Sequence, residues 1–186
     1  MRKLAAITCA LVAAASMARP AAAFVDDKTG LVVEPTSPFQ ATAGAPRADA
    51  DIVVDITSSS GRPTAPNPDG SLCRVTFKLS PRNAGLSQAE INELSVSADR
   101  ISMVQAQFRV VGALEGTDTF EQEGLKGIEV VVAPKAGPNH ESVRLYVALW
   151  ETPKGRAIVS CAGKVEELAE ALTAFRSIRR SVRAPR

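Results

Sequence analysis

Residues 144–150 (RLYVALW) carry apolar side chains on both sides of an extended chain. Successive side chains of a strand point to opposite faces. Leu145, Val147 and Leu149 therefore share one side, and Tyr146, Ala148 and Trp150 the other. Leaving either row in water would forfeit roughly 25 cal/mol for each Å² of apolar surface. Such a strand belongs near the centre of a sheet covered on both faces.

The rest of the chain supplies partners for it. Residues 152–155 (TPKG) read as a turn leading into a strand at 156–161, and residues 117–123 and 128–133 read as a strand pair about 124–127 (GLKG). Earlier, residues 24–26 and 31–34 form two short strands around a turn. Residues 35–50, with Pro35, Pro38 and Pro46, read as a loop anchored by Phe39. Residues 51–57 alternate, with Ile52, Val54 and Ile56 on one side and Asp51 and Asp55 on the other. Residues 58–71 (SSSGRPTAPNPDGS) are turn formers throughout, and a loop of that length is commonly mobile or functional. Residues 72–79 alternate again, with Cys73, Val75, Phe77 and Leu79 inward.

Two helices complete the pattern. Ser87 and Glu90 have the spacing of a capping box, and Ile91, Leu94, Ala98, Ile101, Val104 and Phe108 follow at helical spacing up to Gly112. A last helix spans 164–182, with Val165, Leu168, Leu172, Phe175 and Ile178 inward. Hairpin connections dominate, so the expected class is α+β: a largely antiparallel sheet packed with two main helices. No internal repeat is visible, and residues 24–186 read as a single domain.

Residues 1–23 read as an export signal. Arg2 and Lys3 precede a 14-residue apolar stretch at 4–17, which is short for a hydrocarbon core about 30 Å thick. Of the first 23 residues, 17 are hydrophobic, which leaves no polar face for an ordinary surface helix. Ala21, Ala22 and Ala23 supply the small residues of a cleavage site after Ala23. Composition changes meaning with that cut. The whole chain of 186 residues has 22 basic and 20 acidic side chains, and the signal takes three basic ones (Arg2, Lys3, Arg19). Nineteen basic and 20 acidic groups then remain, so the exported part is nearly neutral. With 23% charged and 45% hydrophobic residues, neither a disordered chain nor a polytopic membrane protein is expected. The expected location is the periplasm or the exterior, with no stable transmembrane anchor after cleavage.

Cys73 and Cys161 are the two cysteines left after the cut. An even count in an oxidising compartment points to a disulfide, here closing a separation of 88 residues. Neither a Cys-x-x-Cys pair nor a Cys/His cluster accompanies them, which disfavours redox or zinc chemistry.

The opening pattern, Phe24, Asp27, Gly30, Leu31, Val32, Val33, Glu34, Pro35 and Phe39, resembles the start of PsbP-like and DcrB-like domains. The end is similar to them too: a hairpin into a helix finishing at Phe175, Ile178, Ser181 and Val182. The resemblance implies an antiparallel sheet sandwiched by helices, and non-enzymatic roles in binding, assembly or envelope stress.

Chemistry-bearing motifs are few. His140 is the only histidine, in a polar turn, and no Gly-x-Ser-x-Gly elbow or phosphate-binding glycine loop is present. Asp49, Asp51 and Asp55 lack the turn glycine and bidentate Glu of a calcium loop, so a solvated face explains them better. No cofactor or metal is expected, and nucleic acid is disfavoured by export and near-neutral charge. The one conspicuous charge pattern is Arg176, Arg179, Arg180 and Arg183 within about a 100° arc of the last helix. These four complement the helix dipole, and they are also the candidate docking patch for an envelope protein or anionic surface. The expected function is therefore a non-catalytic binding or assembly domain of the envelope. The alternative is a small exported enzyme or metal-dependent hydrolase with a site near His140.

N-terminal sequencing of the exported protein should begin at Phe24. An intact Met1 terminus on exported material would refute the cleavage.

Overall fold

The computed structural model describes residues 23–186; the expected signal, except Ala23, lies outside the described residues. A seven-stranded antiparallel sheet runs in the order β3-β4-β5-β9-β8-β7-β6. Its strands are β3 (Phe39–Ala43), β4 (Ile52–Ser58), β5 (Cys73–Leu79), β6 (Gly112–Gln122), β7 (Leu125–Pro134), β8 (Val143–Thr152) and β9 (Gly155–Lys164). A smaller antiparallel sheet joins β1 (Phe24–Asp26), β2 (Leu31–Val33) and β10 (Val182–Arg183), with β2 in the middle. The helices are α1 (Gln88–Ser95), α2 (Ala98–Val111) and α3 (Leu168–Arg180). The fold is α+β, as expected.

The two-sided strand at 144–150 does what its sequence requires. Tyr146, Ala148 and Trp150 enter the larger core with Phe77, Val159 and, from α3, Phe175 and Ile178. Val147 and Leu149 enter a second core on the opposite face, with Ile128, Val130 and Val132 of β7 and Val104 of α2. The strand β8 lies between β9 and β7, so both its edges are paired as well. Phe120 meets Trp150 edge-on, with ring centroids 5.9 Å apart.

Four expectations are corrected. Residues 35–50 are not all loop, because Phe39 and Ala41 alternate inward and β3 pairs with β4 along five residues. The helix expected from Ser87 to Gly112 is two helices. Ser87 closes the capping box of α1, and Ser97 then caps α2 by accepting from the Arg100 N–H, a local bond that competes with continuous helix. Ala98 is accordingly exposed, as is Leu94. Leu79 is also exposed, because it ends β5 beyond the cover of the core. The turn between β6 and β7 is two residues, Glu123 and Gly124, both with positive φ. That backbone matches strand twist in a tight hairpin.

Gly112 passes from α2 into β6 with no connecting loop. A Cβ there would lie 2.0 Å from the Ala133 carbonyl oxygen, so no larger residue fits the approach.

The expected disulfide is present between Cys73 and Cys161, which face each other across β5 and β9. It ties the first half of the large sheet to the second. Replacing both cysteines with alanine should lower unfolding free energy by about 2–4 kcal/mol. Denaturant titration checks this, and a loss below about 0.5 kcal/mol would show that the bridge adds nothing to β5–β9 pairing.

Candidate functional site

The two faces of the large sheet are covered unequally. On one face lie α3 and the small sheet. On the other, α1 crosses β7 and β8, while α2 lies on β6 and β7. The β5–β9 half of that second face is left bare, and a groove runs over it. One lobe, of about 360 Å³, is floored by Val147 and Ile158 and edged by Arg74, Thr76 and Ser160. A second lobe, of about 280 Å³, shares Asn67, Leu145 and Ala162 with the first and ends at Pro138 and His140. The two form one continuous channel with an apolar floor.

Its walls are ordered loops. The segment at 58–71, expected as a long loop, is laced to its surroundings. The Ser59 hydroxyl donates to the Pro38 carbonyl, and the Thr64 N–H donates to the Glu167 carboxylate at 2.8 Å. That N–H holds the Glu167 carboxyl below its ordinary range. Asn67 donates to the Ser71 carbonyl, while the Ser71 hydroxyl and N–H both donate to Asp69 and hold its carboxyl low. The opposite wall includes Pro134, Ala136 and a 3₁₀ turn at His140–Ser142.

Charge at the rim is compensated. Arg47 pairs with Asp49 at 2.8 Å, and Arg74 pairs with Asp55 at 2.7 Å. Asp55 is thus half-buried in an ion pair, and Asp51 accepts from the Leu79 N–H. His140 Nδ1 lies 3.2 Å from the Gly137 carbonyl oxygen, and among the described residues no carboxylate or hydroxyl lies within hydrogen-bond reach of the ring. No group of three or more His, Cys, Asp or Glu among the described residues is placed to hold a metal ion. The arrangement can take up an apolar segment, and it presents no paired acid and base.

The sequence singled out part of this site, the 58–71 loop and His140, and read Leu145 and Val147 as covered; Val147 is buried in the second core, and Leu145 is half-buried at its edge. Its available signal was polarity on a face that is otherwise apolar: Arg74, Thr76 and Ser160 belong on uncovered sheet.

The four arginines expected on the last helix do not form one exposed stripe, and Arg183 lies in β10 rather than in α3. Arg179 is buried, where its Nη1 donates to Glu129 Oε2 and its guanidinium lies 3.9 Å from the Phe120 ring centroid. Arg176 donates twice to Glu129 Oε1, at 2.9 and 2.7 Å, and this bonding raises its pKa. The Tyr146 hydroxyl donates to the same carboxylate at 2.8 Å, and burial pushes its pKa well up, so it stays a donor. Arg183 pairs with Glu34 at 2.8 Å. Arg180 alone of the four is exposed with no ion pair among the described residues. The physical reason is Glu129, a buried carboxylate on β7 that draws two guanidinium groups inward.

No family model matches the chain, and no curated protein matches it. Solved structures do. The chain is similar to the solution structure of cyanobacterial PsbP (CyanoP) from Synechocystis sp. PCC 6803, with 8% identity and a TM-score of 0.55 over 94% of this chain and 98% of that one. It is also similar to the crystal structure of LpqN, involved in cell envelope biogenesis of Mycobacterium tuberculosis, with 7% identity and a TM-score of 0.50 over 91% and 88%. The fold is PsbP-like, and at these identities the likeness is one of fold.

Burial separates the arginines in stability. Arg179→Ala should cost about 3 kcal/mol, because it strips a buried carboxylate of one partner. Arg180→Ala should change stability by less than about 0.5 kcal/mol. Equal losses in denaturant titration would contradict the burial of Arg179.

Proposed function

We propose that the protein is an exported, non-catalytic binding or assembly domain of the cell envelope, and that its groove holds an extended, largely apolar segment of a partner protein. The observation that carries this reading is the groove itself: an apolar floor in which Leu145 and Ile158 stay half-exposed beside buried Val147 and Ala162, between two loop walls, with the charges at the first lobe's rim paired. An anionic ligand would require uncompensated cations there. An apolar segment requires only dry contact, and burying it gains roughly 25 cal/mol per Å².

Export is supported by the disulfide, since such bridges persist in oxidising compartments. Among the described residues no helix is long and apolar enough to cross a membrane. An envelope role is supported by the similarity to LpqN, a protein involved in cell envelope biogenesis of Mycobacterium tuberculosis.

A photo-reactive residue at Thr76 or at Pro138 samples the two lobes, and one at Thr173 on the exposed side of α3 serves as control. Cells expressing these variants should yield the same discrete adduct from both groove positions and none from Thr173. Ser160→Trp, at an exposed position on the edge of the groove, should abolish the adduct without changing the melting temperature. An adduct indifferent to Ser160→Trp, or none from either lobe, would sink the proposal.

A further inference from the structure

A second cleft, of about 260 Å³, shares no lining residue with the groove. It opens between the 3₁₀ turn at Pro81–Asn83, helix α1, the start of α2 and the turn end of the β8–β9 hairpin. Three guanidinium groups from distant parts of the chain line it: Arg82, Arg100 and Arg156. Glu151 is the one acidic residue lining it. Its Oε1 accepts from Arg100 at 2.9 Å and lies 3.3 Å from Arg156 Nε, while Oε2 accepts from Asn83 at 3.0 Å. One carboxylate, fully engaged, thus stands against three cations, and the lining keeps a formal excess of two positive charges. Arg82 is exposed and makes no hydrogen bond or ion pair among the described residues.

The setting is rigid. Asn83 is only 4% exposed and bridges Glu151 to the Thr152 carbonyl. The Ser80 N–H donates to the Lys154 carbonyl at 3.0 Å, which ties the 3₁₀ turn to the hairpin. Beside the charged groups, Leu94 also lines the cleft and is 58% exposed, although it sits on a well-capped helix.

We propose that this cleft binds a phosphate monoester, with the phosphate among Arg82, Arg100 and Arg156 and an apolar substituent against Leu94. Guanidinium forks match pairs of phosphate oxygens. A phosphate monoester carries between about −1.5 and −2 charges at neutral pH, which balances the excess. A carboxylate brings one charge and leaves a cation unmatched. A phosphomonoester lipid headgroup and a soluble phosphate ester share this chemistry.

Calorimetric titration of the purified protein with phenyl phosphate, inorganic phosphate and benzoate tests the assignment. Phenyl phosphate should saturate with a Kd of about 1 mM or tighter, and benzoate should bind about tenfold more weakly. Arg82→Gln and Arg156→Gln should each weaken phenyl phosphate about tenfold, whereas Arg180→Gln, with the same charge change elsewhere, should leave it unaltered. Co-sedimentation with phosphatidylcholine vesicles containing phosphatidic acid separates the sources. Arg82-dependent vesicle binding assigns the headgroup, and binding of the soluble ester alone assigns a soluble ligand. Lack of saturation by phenyl phosphate, equal weakening by Arg180→Gln, or benzoate binding as tightly would each overturn the proposal.

Discussion

The interior strands of the large sheet leave water only where something lies on each face, and the chain has unequal cover to offer. One face receives α3 and the small sheet, which together enclose Tyr146, Trp150, Phe77 and Val159. The other receives α1 and α2, which lie against β6, β7 and β8. Everything distinctive about the surface follows from that shortfall. Where α2 covers the sheet, the chain places Val130, Val132 and Leu149, and where cover stops it places Arg74, Thr76 and Ser160. The groove is the boundary between these regimes, still apolar underfoot and already polar at its edges. Its loops complete the walls without filling the channel.

A second constraint is the charge buried beneath α3. A lone carboxylate at Glu129 would be costly in the interior, and the protein meets that cost with Arg176, Arg179 and Tyr146 converging on its two oxygens. The same contacts hold α3 against β7, which hydrophobic packing alone would leave freer to slide. Phe120 contributes at both ends, stacking under Arg179 and meeting Trp150. A charge pattern placed to complement a helix dipole thus serves mostly as an internal fastening. Its outward remainder is Arg180 and Arg183.

Much of the fold was legible because burial writes a period into the chain. The alternation at 51–57 and 72–79, the two-sided run at 144–150 and the capping box at Ser87 each specify a local structure that the tertiary fold keeps. Legibility failed where two local preferences compete over few residues. Ser97 interrupts a helical period that Ile101 and Val104 resume, and the short run at 39–43 alternates too briefly to stand out among prolines. The site was less legible than the fold, for a physical reason. A groove floor and a core use the same apolar residues, and what distinguishes Leu145 from Tyr146 is which strands the helices elsewhere in the sequence come to lie on. The arginines at 82, 100 and 156 share no sequence neighbourhood, so only the folded chain brings them to one cleft.

The pairing of β2 with β10 sets Val33 opposite Val182, and Pro185 offers its carbonyl to the Thr152 hydroxyl. Strand β10 thus completes a sheet whose other two strands lie about 150 residues earlier in sequence. A ribosome supplies chain from the amino end, so the small sheet cannot close, nor Leu31 and Val33 find their full cover, until Val182 and Arg183 have been made. A chain without Val182 and Arg183 would leave that edge of β2 unpaired.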